Sequence, residues 1–206
     1  NAIRCVGKYL YEKGIVPRRE MKIETANGIN EVTVYSFNGK VNSASVNLGK
    51  AELAGENIPC IWKEDKIVNK PATIGGKEYK VTLVNLGNPH CVVFSEKVDA
   101  VDVETVGPLF ENCEYFPERI NAEFIRVVNR VTIKMRVWER GNGETWSCGT
   151  GAAAAVVAAV LNGYCDRDTN ITVKLRGGDL VVNYHSDGEV ELMGSVKTVY
   201  EGRLEI

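Results

Sequence analysis

Two stretches of the chain are predicted to be helices. Residues 2–13 carry apolar side chains every three or four positions and end at Gly14, a residue suited to the carboxyl end of a helix. Residues 152–161 form an alanine-rich run that ends before Gly163. Alternating apolar and polar residues predict strands elsewhere, as hairpins at 22–35 and 36–47 with turns at Asn27-Gly28 and Asn38-Gly39, and as further strands at 79–84, 91–94, 123–128, 131–138, 171–175, 180–184, 189–193 and 196–206.

The two predicted helices begin similar series of elements, separated by a shift of 149 residues. Four positions match at this shift: Gly14 with Gly163, Gly28 with Gly177, Gly39 with Gly188, and Val41 with Val190. Each half therefore reads as a helix, a capping glycine and two hairpins, which favours a duplicated architecture. At the same shift Asn1 matches Thr150, so Cys148-Gly149 would have counterparts in the two residues before Asn1.

The composition is that of an ordinary globular protein, with 44% hydrophobic and 25% charged residues among 206. A net charge of -2 lacks the basic surface of a nucleic-acid-binding protein, so no nucleic-acid partner is expected. The longest apolar run, residues 152–161, is about half of the roughly 20 residues that a membrane-spanning helix needs, and no membrane partner is expected. The 6 cysteines fit no zinc-binding spacing, and free thiols in a reducing cytoplasm are expected.

The segment from Trp138 to Gly151 contains the strongest candidate for chemistry. Cys148 precedes a helix, where unpaired backbone N–H groups and the positive end of the helix dipole favour a thiolate. This predicts a lowered pKa for Cys148 and a usable base or nucleophile near neutral pH. Gly149 and Gly151 leave the helix amides uncovered, so an anion such as a substrate carboxylate can approach them closely.

The sequence context of this segment bears on other interpretations of it. In an arbitrary protein, a structural cysteine in a glycine-rich loop is the more common case. A dinucleotide fingerprint needs a compact strand-turn-helix unit, and the long polar loop before Gly149 argues against it. If the repeat supplied a second Cys-Gly, two thiols would suit a stereoinversion, in which one removes the α-proton and the other returns a proton to the opposite face.

Four motifs together resemble those of the diaminopimelate epimerase family, in that family's chain order and from the first residue to the last. They are Asn1-x-x-Arg4-Cys5, Gly87-Asn88-Pro89-His90-Cys91, Ile120-Asn121-Ala-Glu-Phe124, and Glu139-Arg140-Gly-x-Gly-Glu-Thr-x-x-Cys148-Gly149-Thr150-Gly151. The first is similar to the end of that family's Cys-Gly-Asn-x-x-Arg-Cys motif. By this comparison the first part of the family's amino-terminal domain, with its catalytic cysteine, would precede Asn1, and the chain is expected to be part of a longer protein.

The resemblance implies a role for each matching residue. Cys148 would be one of two acid/base cysteines, while Cys5, about one turn into the first helix, would be inert. His90 is expected beside the catalytic cysteines, to orient or tune them; the alternative is a loop histidine bonded to backbone. The residues implied to hold the substrate are Asn1, Asn88, Asn121, Glu139, Arg140, Gly149 and Thr150. Glu139 and Arg140 suit a distal amino-acid end, which carries both an ammonium and a carboxylate.

The fold class implied is α+β, with two pseudo-symmetric domains, each a mixed sheet around a central helix, and with the first domain incomplete. Residues 1–45 and 195–206 would be the remnant of the amino-terminal domain, and residues 46–194 the carboxyl-terminal domain. The implied activity is the interconversion of LL- and meso-diaminopimelate, on the route to lysine and a cell-wall precursor. No pyridoxal phosphate, metal or nucleotide is expected. The chain alone, with one of the two cysteines, is expected to be inactive.

Two alternatives stay open. A proline or hydroxyproline racemase shares two cysteines but acts on a ring without distal charges, so Glu139 and Arg140 would have no evident use. A non-catalytic member of the same fold would lack the cysteines, and Cys148 speaks against it. A homodimer would fit the family.

Overall fold

The structure is a computed structural model that describes residues 1–26 and 28–203, and the chain divides into two compact units. The first comprises Asn1–Asn47 and the segment from Met193 onward, and the second comprises Leu48–Leu192. The predicted boundaries, at 45/46 and 194/195, lie two residues from these. The predicted turn residue Asn27 and residues 204–206 of the predicted last strand lie outside the described residues.

The first unit has a helix packed on an antiparallel sheet. Its elements are helix α1 (Ala2–Glu12) and strands β1 (Glu20–Thr25), β2 (Gly28–Phe37) and β3 (Lys40–Lys50), with β2 between β1 and β3. Helix α1 packs on β2 at Gly7, where an added Cβ would lie only 2.9 Å from a methyl carbon of Val32. The absence of a side chain at Gly7 therefore allows the helix to approach the sheet.

Two strand predictions in this unit are wrong. Strand β2 is one continuous strand, so the predicted hairpins 22–35 and 36–47 share it and form a three-stranded meander. Residues 196–203 form no strand, although the N–H of Val196 donates to the carbonyl of Asn42 at 3.1 Å. Val199 and Tyr200 are each 85% exposed, so this segment has no buried face of the kind that stabilises a strand.

The second unit is a mixed sheet with helices α2 (Val103–Glu111) and α3 (Gly149–Leu161). Strand β6 pairs with β7, and β8 with β10, in parallel. The spatial order is β12, β11, β10, β8, β7, β6, β5, β4, with β9 also pairing with β8. The bounds are β4 Lys70–Ile74, β5 Lys77–Asn85, β6 Pro89–Phe94, β7 Asn121–Asn129, β8 Thr132–Glu139, β9 Gly143–Thr145, β10 Ile171–Leu175, β11 Gly178–Tyr184 and β12 Glu189–Ser195.

Helix α3 is buried on every side. All nine residues from Gly151 through Ala159 are buried, and the helix contacts strands β5 to β8, β10 and β11. A helix that is apolar all round belongs to a protein core, and its small glycine, alanine and valine side chains let the strands pack closely around it. This packing fixes the place of Cys148 at the amino end of the helix.

Helix α2 and strand β4 were not predicted from the sequence. Asp102 is the N-cap residue of helix α2, and its carboxylate accepts the N–H of Thr105 at 3.2 Å. The helix places Phe110 against Phe124, with ring centroids 5.4 Å apart and the rings edge to face. Both rings belong to a buried core against which Trp138, near the end of β8, also packs.

The two units contain the same series of elements, as the repeat predicts. Helix α1 with strands β1, β2 and β3 has the same order as helix α3 with strands β10, β11 and β12. One pairing of glycines needs correction: Gly28 corresponds to Gly178, not Gly177, since these two are the left-handed residues that close the equivalent hairpins. The positive φ angles that match are 70° and 77° at Gly14 and Gly163, 112° and 126° at Gly28 and Gly178, and 75° and 94° at Gly39 and Gly188.

Candidate active site

Cys148 is the N-cap residue of helix α3, as the sequence predicts. Its Sγ accepts the N–H of Gly151 at 3.3 Å and lies 3.7 Å from the hydroxyl of Thr150. The predicted lowering of its pKa is wrong. Burial, followed by the charges of Glu123 and Glu139, raises the pKa of Cys148 to about 12 and outweighs the hydrogen bonds from Gly151 and Thr150. The side chain is 7% exposed, and at neutral pH it holds its proton.

A buried imidazole–carboxylate pair lies beside Cys148. His90 on β6 and Glu123 on β7 are both 0% exposed, with His90 Nδ1 2.6 Å from Glu123 Oε1. A Cβ placed on Gly151 would lie 2.8 Å from Glu123 Oε1 and 3.2 Å from Cys148 Sγ, so the carboxyl oxygen and the sulfur are within about 6 Å of each other. The sequence predicts His90 beside the catalytic thiol; in the structure His90 contacts Glu123, and the Glu123 carboxyl group lies near the sulfur.

The Glu123 carboxyl group has an unusual environment for an acid. Burial raises its pKa, His90 opposes that shift, and the charge of Glu139 adds to it. Its second oxygen, Oε2, is buried and has no hydrogen-bond partner among the described residues. Sequence reasoning missed this residue, although a carboxylate between Ala122 and Phe124 in a predicted strand was a visible signal.

Asn88 and Asn121 hold the two loops around this pair. Asn88 Oδ1 lies 3.0 Å from Nε2 of His90, on the opposite side of the ring from Glu123. Asn121 donates from Nδ2 to the carbonyl of Pro89 at 2.7 Å and accepts the backbone N–H of Arg140 on Oδ1 at 2.9 Å. Asn121 therefore ties the start of β6 to the turn after β8, and its role in holding substrate stays a prediction.

The turn after β8 carries the predicted Glu139-Arg140 pair. Glu139 accepts a hydrogen bond from the hydroxyl of Thr145, and Arg140 donates from Nη1 to the carbonyl of Glu118 at 3.0 Å. Both side chains are partly exposed. Glu139 is the member of the pair whose charge acts on Cys148.

Glu111, at the end of α2, anchors this turn and was not predicted from the sequence. Its Oε2 accepts the indole N–H of Trp138 at 2.6 Å, and its Oε1 accepts the backbone N–H of Gly141 at 2.9 Å. Burial opposes ionisation, but the hydrogen bonds from Trp138, Gly141 and Arg119 together hold the pKa of Glu111 below its ordinary value. Glu111 thus holds the Trp138 side chain before Glu139-Arg140 and the Gly141 backbone after it.

The remaining predicted residues are placed as follows. Gly149 and Thr150 form the first turn of α3, directly after Cys148. Asn1 lies in the first unit as the N-cap of α1, where its Oδ1 accepts from Arg4 Nη2 at 3.4 Å and from the Cys5 thiol at 3.7 Å. The second unit by itself therefore brings together every other predicted site residue.

Within residues 1–26 and 28–203, no group of three or more His, Cys, Asp or Glu side chains is placed to hold a metal ion. The cysteines are free thiols. Over the same residues no helix combines the length and the apolar character that crossing a membrane requires.

Solved structures of other proteins share this fold. The structure is similar to that of a hydroxyproline epimerase from Agrobacterium vitis, with a TM-score of 0.69 and 13% identity, over 94% of this chain and 62% of that chain. That likeness concerns the fold alone. It agrees with the predicted α+β class, which is confirmed.

The sequence comparisons are more specific. The profile of a family described as diaminopimelate epimerase matches residues 82–199. The diaminopimelate epimerases of Acetivibrio thermocellus and Bacillus licheniformis are each 44% identical to the chain over 207 aligned positions, which cover 100% of this chain and 73% of each relative. The chain belongs to the diaminopimelate epimerase family, and the predicted resemblance is confirmed.

Proposed function

We propose that the protein interconverts LL- and meso-diaminopimelate by removing and returning a proton at one α-carbon, without a cofactor, on the route to lysine and a cell-wall precursor. The observation that carries the proposal is Cys148, a thiol at the amino end of a helix whose nine central residues are all buried, with the Glu123–His90 pair nearby. Family membership and the names of the relatives support diaminopimelate as the substrate.

Cys148 is protonated in the resting site and is therefore the acid in the first direction of reaction. A second acid/base group removes the α-proton from one face of the substrate and leaves the electron pair on the α-carbon. That pair takes the proton of the Cys148 thiol on the other face, and the sulfur is left as a thiolate. By the family resemblance the second group is a cysteine two positions before Asn1. The roles exchange in the reverse direction.

The charge that develops in the reaction is stabilised by backbone. The first N–H groups of α3, at Gly149 and Thr150, have no partner within the helix and face the end where Cys148 lies. Donors fixed in this way stabilise an anionic α-carboxylate and the carbanion next to it without reorganising during the reaction.

The acidic surroundings of Cys148 match a substrate with two ammonium groups. Glu123 and Glu139 oppose a thiolate at Cys148. A bound ammonium group lowers that opposition, because an opposite charge within about 4–6 Å favours the charged form of a titrating group. At the distal end, Glu139 pairs with the ammonium and Arg140 with the carboxylate, while Asn88 and Asn121 complete the hydrogen bonds.

The test measures deuterium incorporation at the α-carbon of diaminopimelate in D2O, with protein that carries the preceding cysteine. Cys148→Ala is expected to lower the rate by about 10²–10⁴-fold, the usual contribution of a positioned acid or base. An unchanged rate in this variant would refute the proposal. For the 206-residue chain, we expect binding without epimerisation, so that meso-diaminopimelate protects Cys148 from iodoacetamide and L-proline does not. Equal protection by both would favour the proline racemase alternative.

A further inference from the structure

Glu123 is a buried carboxyl group for which the family resemblance implies no role. It lies in strand β7 between Ala122 and Phe124, both buried, and is itself 0% exposed. Burying a carboxylate without full hydrogen bonding is costly, and such a residue needs an explanation. Its position between His90 and the Cys148 sulfur suggests one.

The contacts of His90 determine how many protons the pair holds. Nε2 faces Asn88 Oδ1 at 3.0 Å, an oxygen that only accepts, so Nε2 carries a hydrogen. Nδ1 then lies 2.6 Å from Glu123 Oε1. Two atoms with only lone pairs facing each other would repel at this distance, so one proton lies between them. While that proton is present, His90 and Glu123 together are electrically neutral.

We propose that Glu123 is a positioning residue whose carboxyl group, by sharing one proton with His90, controls when Cys148 can give up its own proton. This inference rests on the proposed function of Cys148 as an acid/base group. When the shared proton leaves, a negative charge remains within about 6 Å of the sulfur and opposes a thiolate. Glu123 Oε2 accepts no hydrogen bond among the described residues. The negative charge on the carboxylate is therefore only weakly stabilised by nearby donors.

The charged and titratable groups that face Glu123 come from three neighbouring elements. They are His90 and Cys91 on β6, Glu139 at the end of β8, and Cys148 before α3. Cys91 is completely buried, with a pKa well above the ordinary value because of burial and then the Glu123 charge, so it stays neutral. His90 is the one base among them, and it is the partner of the shared proton.

The test compares the rates at which iodoacetamide alkylates Cys148 in the unmodified chain and in Glu123→Gln, followed by mass spectrometry of the Cys148 peptide. Glutamine keeps the shape but cannot become negative. The rates are followed as a function of pH. Where the pair has lost its shared proton, the variant is expected to react about tenfold faster, because removing a like charge at this distance lowers a thiol pKa by about one unit. At lower pH, where the pair keeps that proton and is neutral, the two rates should be similar.

Two variants control this measurement. Glu144→Gln makes the same chemical change at another buried carboxylate, which pairs with Arg136 and Arg176 and does not act on Cys148. It should leave the alkylation of Cys148 unchanged. Glu123→Asp keeps the charge and should keep the slow alkylation of the unmodified chain. Equal rates for Glu123→Gln and the unmodified chain at every pH would overturn the proposal, and so would an acceleration that does not depend on pH.

A second measurement needs no variant at site residues. The chain has only 2 histidines, so ¹⁵N-histidine NMR can follow the His90 ring in the unmodified protein, with His185→Gln for assignment. We expect Nε2 to keep its hydrogen while the shared proton titrates; an unprotonated Nε2 at neutral pH would overturn the proposal. Neither readout depends on turnover. A chain with the expected alkylation pattern that lacks epimerase activity even with the preceding cysteine would refute the proposed function and leave this role of Glu123 standing.

Discussion

Replacing Glu111 by alanine is expected to loosen the turn that carries Glu139 and Arg140. The substitution removes the acceptor for the Trp138 indole N–H, now at 2.6 Å, and for the Gly141 N–H, at 2.9 Å. A hydrogen bond to a charged group contributes about 1.5–3 kcal/mol, and Trp138 is partly buried, so most of that is lost. Gly141 is exposed and water can replace its partner, which leaves about 0.5–1 kcal/mol for that bond.

The expected total is a loss of about 2–4 kcal/mol in the free energy of unfolding, measured by urea denaturation. Glu111→Gln keeps an acceptor oxygen and the shape of the side chain, and should lose about half as much. Arg119→Ala is the control. Its side chain is 59% exposed and 3.3 Å from Glu111, and such a pair contributes at most about 1 kcal/mol.

A double-mutant cycle with Trp138→Phe isolates the indole contact, because phenylalanine keeps a ring but has no N–H. We expect a coupling energy of about 1–2 kcal/mol between the two positions. A coupling near zero, or a loss below about 1 kcal/mol for Glu111→Ala, would refute the reasoning. If the substrate assignment is right, Glu111→Ala also raises KM for diaminopimelate.

Three further outcomes are expected. Gly151→Ala gains about 1 kcal/mol of helix propensity, but its Cβ would lie 2.8 Å from Glu123 Oε1, so calorimetry should show a net destabilisation of about 1–2 kcal/mol; a higher Tm would contradict this. The pKa of Cys148 is raised to about 12 in the folded chain. As pH increases from about 9, the thiol therefore ionises in the unfolded chain before it ionises in the folded chain. The free energy of unfolding of the unmodified chain should therefore fall by up to about 4 kcal/mol by pH 12, relative to that of Cys148→Ser. If the difference in free energy of unfolding between the two proteins does not change with pH, the raised pKa is contradicted. Asp102→Ala removes the N-cap side chain of α2 and should lower the free energy of unfolding in urea by about 0.5–2 kcal/mol. An unchanged free energy of unfolding would contradict this role of Asp102.

Elements with strong local patterns were predictable from the sequence. Strand β8 was predicted at residues 131–138 and spans Thr132–Glu139, and its inward residues Ile133, Met135 and Val137 are each at most 1% exposed. This alternation of buried and exposed residues lies within the strand itself, so the strand can be predicted from its own sequence alone. The start of α3 was predictable for a related reason, since small residues after Cys148-Gly149 favour a helix that the sheet can surround.

Elements that depend on tertiary contacts were not predictable. Helix α2 contains Gly107 and Pro108, which are poor helix formers, and it forms because Gly107 lets the helix lie against Trp138, where an added Cβ would come within 2.4 Å of the ring. Strand β4 contains Pro71, which is tolerated because β4 is an edge strand.

The raised pKa of Cys148 has the same origin. The sequence places the thiol at a helix terminus, which taken alone lowers a pKa. It does not reveal that Glu123 and Glu139, distant along the chain, lie close to the sulfur, nor how deeply the sulfur is buried. Burial and long-range charges therefore reversed a prediction that was correct for an isolated helix end.

The enclosed helix α3 also determines which partner in a reaction has to move. Because strands surround its small side chains on all sides, sliding or turning the helix by even a fraction of its pitch would create collisions and voids at many positions together. The sulfur at its end is consequently a fixed point, and a molecule that reacts with it must be brought to that point. Directed evolution for new substrates should accordingly succeed by reshaping the loops that deliver the molecule, and should rarely accept changes within the helix.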